Sequence, residues 1–250
     1  MLNRRANRDG TNKDVFVGID LAAEPTRTGM AVLDDDHFTA VTVWETDDDI
    51  VSTICDSTKA GIDIPFGWPV VFTEFIAAHA SHTQPYPNST GPEWRRSMAL
   101  RATDRDIHSR LGLTPLSVST NLIAYPALRW AGIEARVRDL NVDVSRDGSG
   151  RVAEVYPAAA LKVWGLPHRG YKKKGQSSSR ALILAGLQDR FPELKFGSAV
   201  KDTMLHDDNA LDAVIAALVA REVRRGKTQP PPAELLEAAA VEGWIHVPTQ

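Results

Sequence analysis

The stretch HDDNALDAVIAALVAR, residues 206–221, poses the central question of this chain. Its apolar run predicts a helix over 208–225, yet the helix carries Asp212 among Leu211, Ala213, Val214, Ile215, Ala216, Ala217 and Leu218. Asp208 and Asp212 are four residues apart, so they share a face, about 40° apart around the axis. A like-charge pair at that spacing costs about 0.2–0.5 kcal/mol even when exposed. Burial raises the cost or forces one group to keep a proton. A divalent cation between the two reverses the sign. Asp207 or Asp208 can serve as the helix N-cap; Asp212 has no such local role and points to a cation.

Working outward, DVFVGID (14–20) reads as a strand buried on both faces. TGMAVLD (28–34) and HFTAVTVW (37–44) follow as strands, with the polar break at 34–36 as a hairpin turn. A short helix is expected over 47–57, then a strand over AGIDIPF (60–66), stopped by Pro65. The spacing predicts helices over 68–80, over 94–112 and within 121–139, with a proline-rich loop at 81–93. RVAEVYP (151–157) reads as a strand, PAAALKVWGL as a short helix, and 168–179 as a basic loop. Helices over 179–190 and 208–225 follow, then PPP (230–232), a short helix and a closing GWIHVP (243–248). This alternation predicts an α/β fold with a mixed sheet, its first strands an antiparallel meander and its later ones parallel. A tail (1–13) is expected before one domain (14–250) with a helical insert at about 68–140. The six tryptophans are expected mostly in the core.

Composition excludes several classes. The net charge is −3, so polyanion binding would need local basic patches. The lone cysteine, Cys55, rules out an internal disulfide framework and a cysteine-rich zinc site, and fits a cytoplasmic location. The start, MLNRRANRDGTNK, lacks the apolar core of a secretory signal, and no apolar run has the length of a membrane span.

Asp20, Asp63 and Glu154 each end or interrupt a predicted strand. Singly, each has an ordinary reading as a turn, cap or surface residue. Together with Asp208 and Asp212 they form an oxygen-rich set suited to Mg²⁺ or Mn²⁺. Two such ions about 3.5–4 Å apart can clamp the attacking and leaving oxygens of a phosphodiester displacement.

FVGIDLA, GIDIPFGWP, EVYPAAAL, GYK and DDNALDAVIAALVAR, with EGWIHVP near the end, together resemble domain-of-unknown-function family 429 over residues 14–248. That family is generally regarded as predicted nucleases. The resemblance implies a ribonuclease-H-like mixed sheet, with helices on both faces and the first strand central beside the fourth. It implies Asp20, Asp63, Glu154 and Asp212 as catalytic, metal-holding acids. The chain departs from the pattern at Asn209, where another acid is expected; Asp208 shares the face of Asp212 and can substitute.

For substrate, HRGYKKKGQSSSR (168–180) offers Arg169 and Lys172 to phosphates, though such a charge run also suits a solvated loop. Arg101 and Arg105, four apart, offer a second phosphate contact or internal ion pairs with Asp104 and Asp106. His206 is a proton-shuttle candidate with an equally ordinary role at a helix start. The expected activity is metal-dependent hydrolysis of nucleic acid, DNA or RNA, by a two-metal-ion mechanism. The alternatives are a phosphotransferase of the actin-like type and a non-catalytic nucleic-acid- or protein-binding module.

Overall fold

A computed structural model describes residues 13–85 and 87–249. Of the expected N-terminal tail only Lys13 lies within the described residues; its Nζ is 3.2 Å from Asp35 Oδ2.

Among the described residues seven strands form one mixed sheet: β1 (Val15–Asp20), β2 (Gly29–Asp34), β3 (His37–Val43), β4 (Lys59–Asp63), β5 (Val152–Val155), β6 (Lys195–Phe196) and β7 (Ile245–His246). Their spatial order is β6-β3-β2-β1-β4-β5-β7. The β1–β2–β3 meander is antiparallel, while β4, β5 and β7 add in parallel on one side and β6 on the other. The core order 3-2-1-4-5, with only the second strand reversed, is consistent with a ribonuclease-H-like α/β fold. β1 is central beside β4, as the resemblance implied.

Ten helices are described: α1 (Asp47–Asp56), α2 (Val70–Ala80), α3 (Pro92–Ala99), α4 (Ala102–Leu111), α5 (Ala124–Asp139), α6 (Pro157–Val163), α7 (Ser177–Arg190), α8 (Ser198–His206), α9 (Asp208–Arg224) and α10 (Leu236–Glu242). Among the described residues no helix is long and apolar enough to cross a membrane. Side chains of successive strand residues alternate between faces. Val17, Ile19, Ala60, Ile62 and Val152 meet Ile50, Ile54, Trp130, Ile133 and Val137 of α1 and α5 on one face. Phe16, Ala31, Leu33 and Val155 meet α6, α7, α8 and α9 on the other.

α9 is buried at every position from Ala210 to Glu222, the condition of a helix enclosed on all sides. It crosses the sheet on a floor of glycines. A Cβ at Gly18 would lie 1.9 Å from Ala213 O, one at Gly29 2.3 Å from Asn209 O, and one at Gly61 2.4 Å from Ala216 O. Any side chain there would lift the helix off the strands.

Three expectations change. The helix predicted over 94–112 is two helices, α3 and α4, because Leu100 and Arg101 are extended between them. The Arg101 N–H donates to Asp104 Oδ2 at 3.0 Å, starting α4 afresh. α8 and the two-residue β6 were not expected from the pattern. Of the tryptophans, Trp130, Trp164 and Trp244 are buried but Trp44 is exposed.

Candidate functional site

The acids reach the same end of the sheet by separate routes. Asp20 is the last residue of β1 and Asp63 the last of β4, and they are register partners across that parallel pair. Neighbouring strands run about 4.8 Å apart, so the two carboxylates start side by side. Both follow residues of the α1 and α5 face, Ile19 and Ile62, so both point toward α9. Asp212 comes from α9 above and is wholly buried. Asp207 is the N-cap: its Oδ1 accepts from the N–H groups of Asn209 (2.8 Å) and Ala210 (3.3 Å). That leaves Asp208, partly buried in the first turn, and Asp212 without capping duty.

Asp212 is held on both sides. The Tyr171 hydroxyl, itself buried, donates to Oδ1 at 2.8 Å. The Lys172 ammonium lies 2.5 Å from Oδ2, with its side chain 47% exposed. Tyr171 and Lys172 belong to the basic loop before α7. Arg180 of α7 fixes that loop by donating from Nη1 to Tyr171 O (2.7 Å) and Lys173 O (3.2 Å).

The electrostatics follow from packing three carboxylates around one ammonium. Burial raises the Asp20 pKa well above the ordinary value, and Asp212, Asp63 and Asp208 add to the rise while Lys172 opposes it. Burial pushes Asp63 up to about 7, opposed by Lys172 and reinforced by Asp212 and Glu154. Burial also raises Asp212, against the pull of Lys172 and the Tyr171 hydroxyl. Burial disfavours the Lys172 charge, yet Asp212, Asp63 and Asp20 together hold it above its ordinary value. Like charges crowded in a low-dielectric pocket resist full ionisation until a cation joins them.

Glu154 is not brought to this cluster. It is the register partner of Ile62, so it faces the opposite side of the sheet from Asp63. Both of its oxygens are taken: Arg101 donates to Oε1 at 2.7 Å and to Oε2 at 2.8 Å, and the Phe66 N–H donates to Oε2 at 3.0 Å. Arg101 does not face solvent either. It is fully buried and also grips Asp104 through Nε (3.1 Å) and Nη2 (2.9 Å) and the Glu242 carbonyl through Nη1 (3.0 Å). Glu154, expected as a metal ligand, and Arg101, expected as a phosphate contact or as an ion pair with Asp104, form one buried ion network; for Arg101 the ion-pair reading holds. Glu242 completes it, accepting from the N–H groups of Val70 (2.9 Å) and Ala102 (2.6 Å). The network clamps the first turns of α2 and α4 to the sheet.

Arg105 is exposed on α4 and donates to Leu100 O at 2.7 Å. Arg169 is exposed on the basic loop. His206 is exposed at the end of α8, its Nδ1 2.7 Å from Asp202 O. Two tyrosines escaped sequence reasoning. Tyr171 holds Asp212, and Tyr156, after β5, is partly buried within the electrostatic reach of Asp63, Lys172, Arg169 and Asp212. Tyr171 stood inside the GYK fragment, but no spacing rule ties it to a helix forty residues on.

Among the described residues, no set of three or more His, Cys, Asp or Glu side chains is disposed to hold a metal ion as it stands. The cation that pairs with Asp212 among the described residues is the Lys172 ammonium. The donors are nevertheless of the right kind: carboxylates from three elements within electrostatic reach of one another and of one ammonium.

A family model described as "Protein of unknown function (DUF429)" matches residues 18–236. No curated protein and no solved structure matches the chain.

Proposed function

The chain belongs to the DUF429 family, and from that premise we propose that it is a metal-dependent nuclease whose acids are Asp20, Asp63 and Asp212, with Asp208 beside them. The observation that carries this reading is the pairing of Asp20 with Asp63 at adjacent strand ends beneath a helix-borne, buried Asp212. Ligands of open α/β sheets bind outside the carboxyl ends of the strands, where these acids lie. The raised pKa values of all three carboxyls support it, because such shifts gather at functional sites.

Mg²⁺ or Mn²⁺ held there would supply charge for the developing oxyanion and activate water for in-line attack on phosphorus. The rest belongs to the chain. Asp20 and Asp63 present oxygens from a rigid sheet, which fixes their separation. Tyr171 orients Asp212 through Oδ1, so that Oδ2 is the oxygen turned toward a cation. Arg169, Lys173 and Lys174, all exposed on the basic loop, attract a phosphate backbone in a salt-dependent way. Glu154 and Arg101 support the site from the far face without touching substrate.

The test is cleavage of end-labelled single- and double-stranded DNA, RNA, RNA–DNA hybrid and a four-way junction, with Mg²⁺, Mn²⁺ or chelator. Cutting that needs metal and disappears in Asp212→Asn is expected. Binding without cutting, indifferent to chelator, would replace this reading with a non-catalytic module.

A further inference from the structure

The oxygen that the nuclease reading offers to a metal is the one that Lys172 occupies. We infer that Lys172 is a resident counter-cation of the acidic cluster, which a divalent cation must displace, so that this lysine sets the metal affinity of the site. The inference rests on the nuclease reading and concerns its metal-free state.

Four observations support it. Asp212 is wholly buried and Tyr171 takes Oδ1, so only Oδ2 is left to receive a charge. Among the described residues, Oδ2 meets no hydrogen-bond donor apart from the ammonium 2.5 Å away. An ionised carboxylate buried with no counter-charge is costly, so ionised Asp212 needs the lysine or another cation at this position.

Nearly half of the Lys172 side chain meets solvent, which gives it a way out. The backbone on either side is pinned, because Arg180 binds the carbonyls of Tyr171 and Lys173 and is itself anchored to Leu205 O at 2.8 Å. Exchange therefore needs rotation of one flexible side chain and no opening of the loop. A metal ion and an ammonium within a few ångströms of the same oxygens repel each other, so each weakens the hold of the other on Oδ2. Once turned outward, the ammonium joins Arg169, Lys173 and Lys174 on the exposed edge of the loop, in place to meet a phosphate.

The experiment is titration calorimetry with MnCl₂ at fixed ionic strength on wild type, Lys172→Met, Lys172→Arg and Asp212→Asn. Lys172→Met is expected to bind Mn²⁺ at least about tenfold more tightly than wild type, since a unit charge beside the ion is gone. Lys172→Arg, which keeps the charge, is expected to gain nothing. Lys172→Met binding no tighter than wild type, with Asp212→Asn binding none, overturns this inference and leaves the nuclease reading standing. No Mn²⁺ binding by wild type or Lys172→Met overturns both. A second measurement uses wild-type protein alone: the rate of Lys172 acetylation, followed by peptide mass spectrometry with and without Mn²⁺. Faster modification with Mn²⁺ is expected, and an unchanged or slower rate overturns the inference.

Discussion

Replacing Asp63 with asparagine should make the metal-free protein more stable, and by more at high pH than at low pH. The folded state holds the Asp63 pKa at about 7, against an ordinary value of 3.8. A carboxyl whose folded pKa is raised binds its proton more tightly in the folded than in the unfolded chain. Stability therefore falls as pH rises from about 4 through about 7, and is level above. At about 1.4 kcal/mol per pH unit, the full cost of ionising Asp63 in place is roughly 4 kcal/mol. Asp20, Asp212 and Lys172 share this cost, so one substitution recovers about half, or ~2 kcal/mol at pH 8. For a chain of this size that corresponds to about 4–8 °C in Tm. At pH 5 most of the cost is absent and the gain should shrink below about 1 kcal/mol. Thermal unfolding by circular dichroism in chelator, at pH 5 and pH 8, measures both. A gain equal at the two pH values, or a loss at pH 8, would refute the idea of a crowded, incompletely ionised cluster.

Arg101→Ala should cost about 3–5 kcal/mol, because it leaves Asp104 and Glu154 buried without their counter-charge; the urea midpoint reports it, and a shift below about 1 kcal/mol would count against the network. Gly18→Ala should cost at least about 3 kcal/mol and leave little soluble protein, since its Cβ would meet the backbone of α9 at Ala213 and Ala217; a well-folded Gly18→Ala protein with an unchanged Tm would contradict the close approach of α9 to β1.

The sheet and the acid-bearing helix were legible because local pattern and tertiary role agree there. The apolar runs at 15–20 and 59–63 are strands buried on both faces, although the second ends at Asp63, short of the expected 60–66. Asp212 stood out because nothing local explains a carboxylate in that apolar run. Glu154 was misjudged for a physical reason: strand position fixes which face a side chain takes, and a one-residue offset from Asp63 sends it to the other side. The Arg101–Asp104 pair was legible from its spacing, but the burial of Arg101 was not, because its other partners lie 53 and 141 residues away, at Glu154 and Glu242. The break between α3 and α4 was hidden for the same cause, since long-range burial of Arg101 overrides a continuous helical pattern. The Lys172–Asp212 pair lies outside any short-range rule, since each residue stands out alone in the sequence and nothing local joins them.

The glycine floor under α9 also decides how the protein breathes. Helix backbone rests on strand backbone at Gly18, Gly29 and Gly61, with no side-chain layer to act as a compressible cushion. The amides of α9 and of β1 should then exchange with deuterium only when the whole sheet comes apart, reporting one shared opening free energy. The Lys172 side chain, nearly half exposed, lies outside that block and can turn without opening it. The acids of the sheet and helix are thus set in the slowest-opening part of the molecule, while the cation that meets Asp212 sits at the tip of a side chain that can turn at its edge.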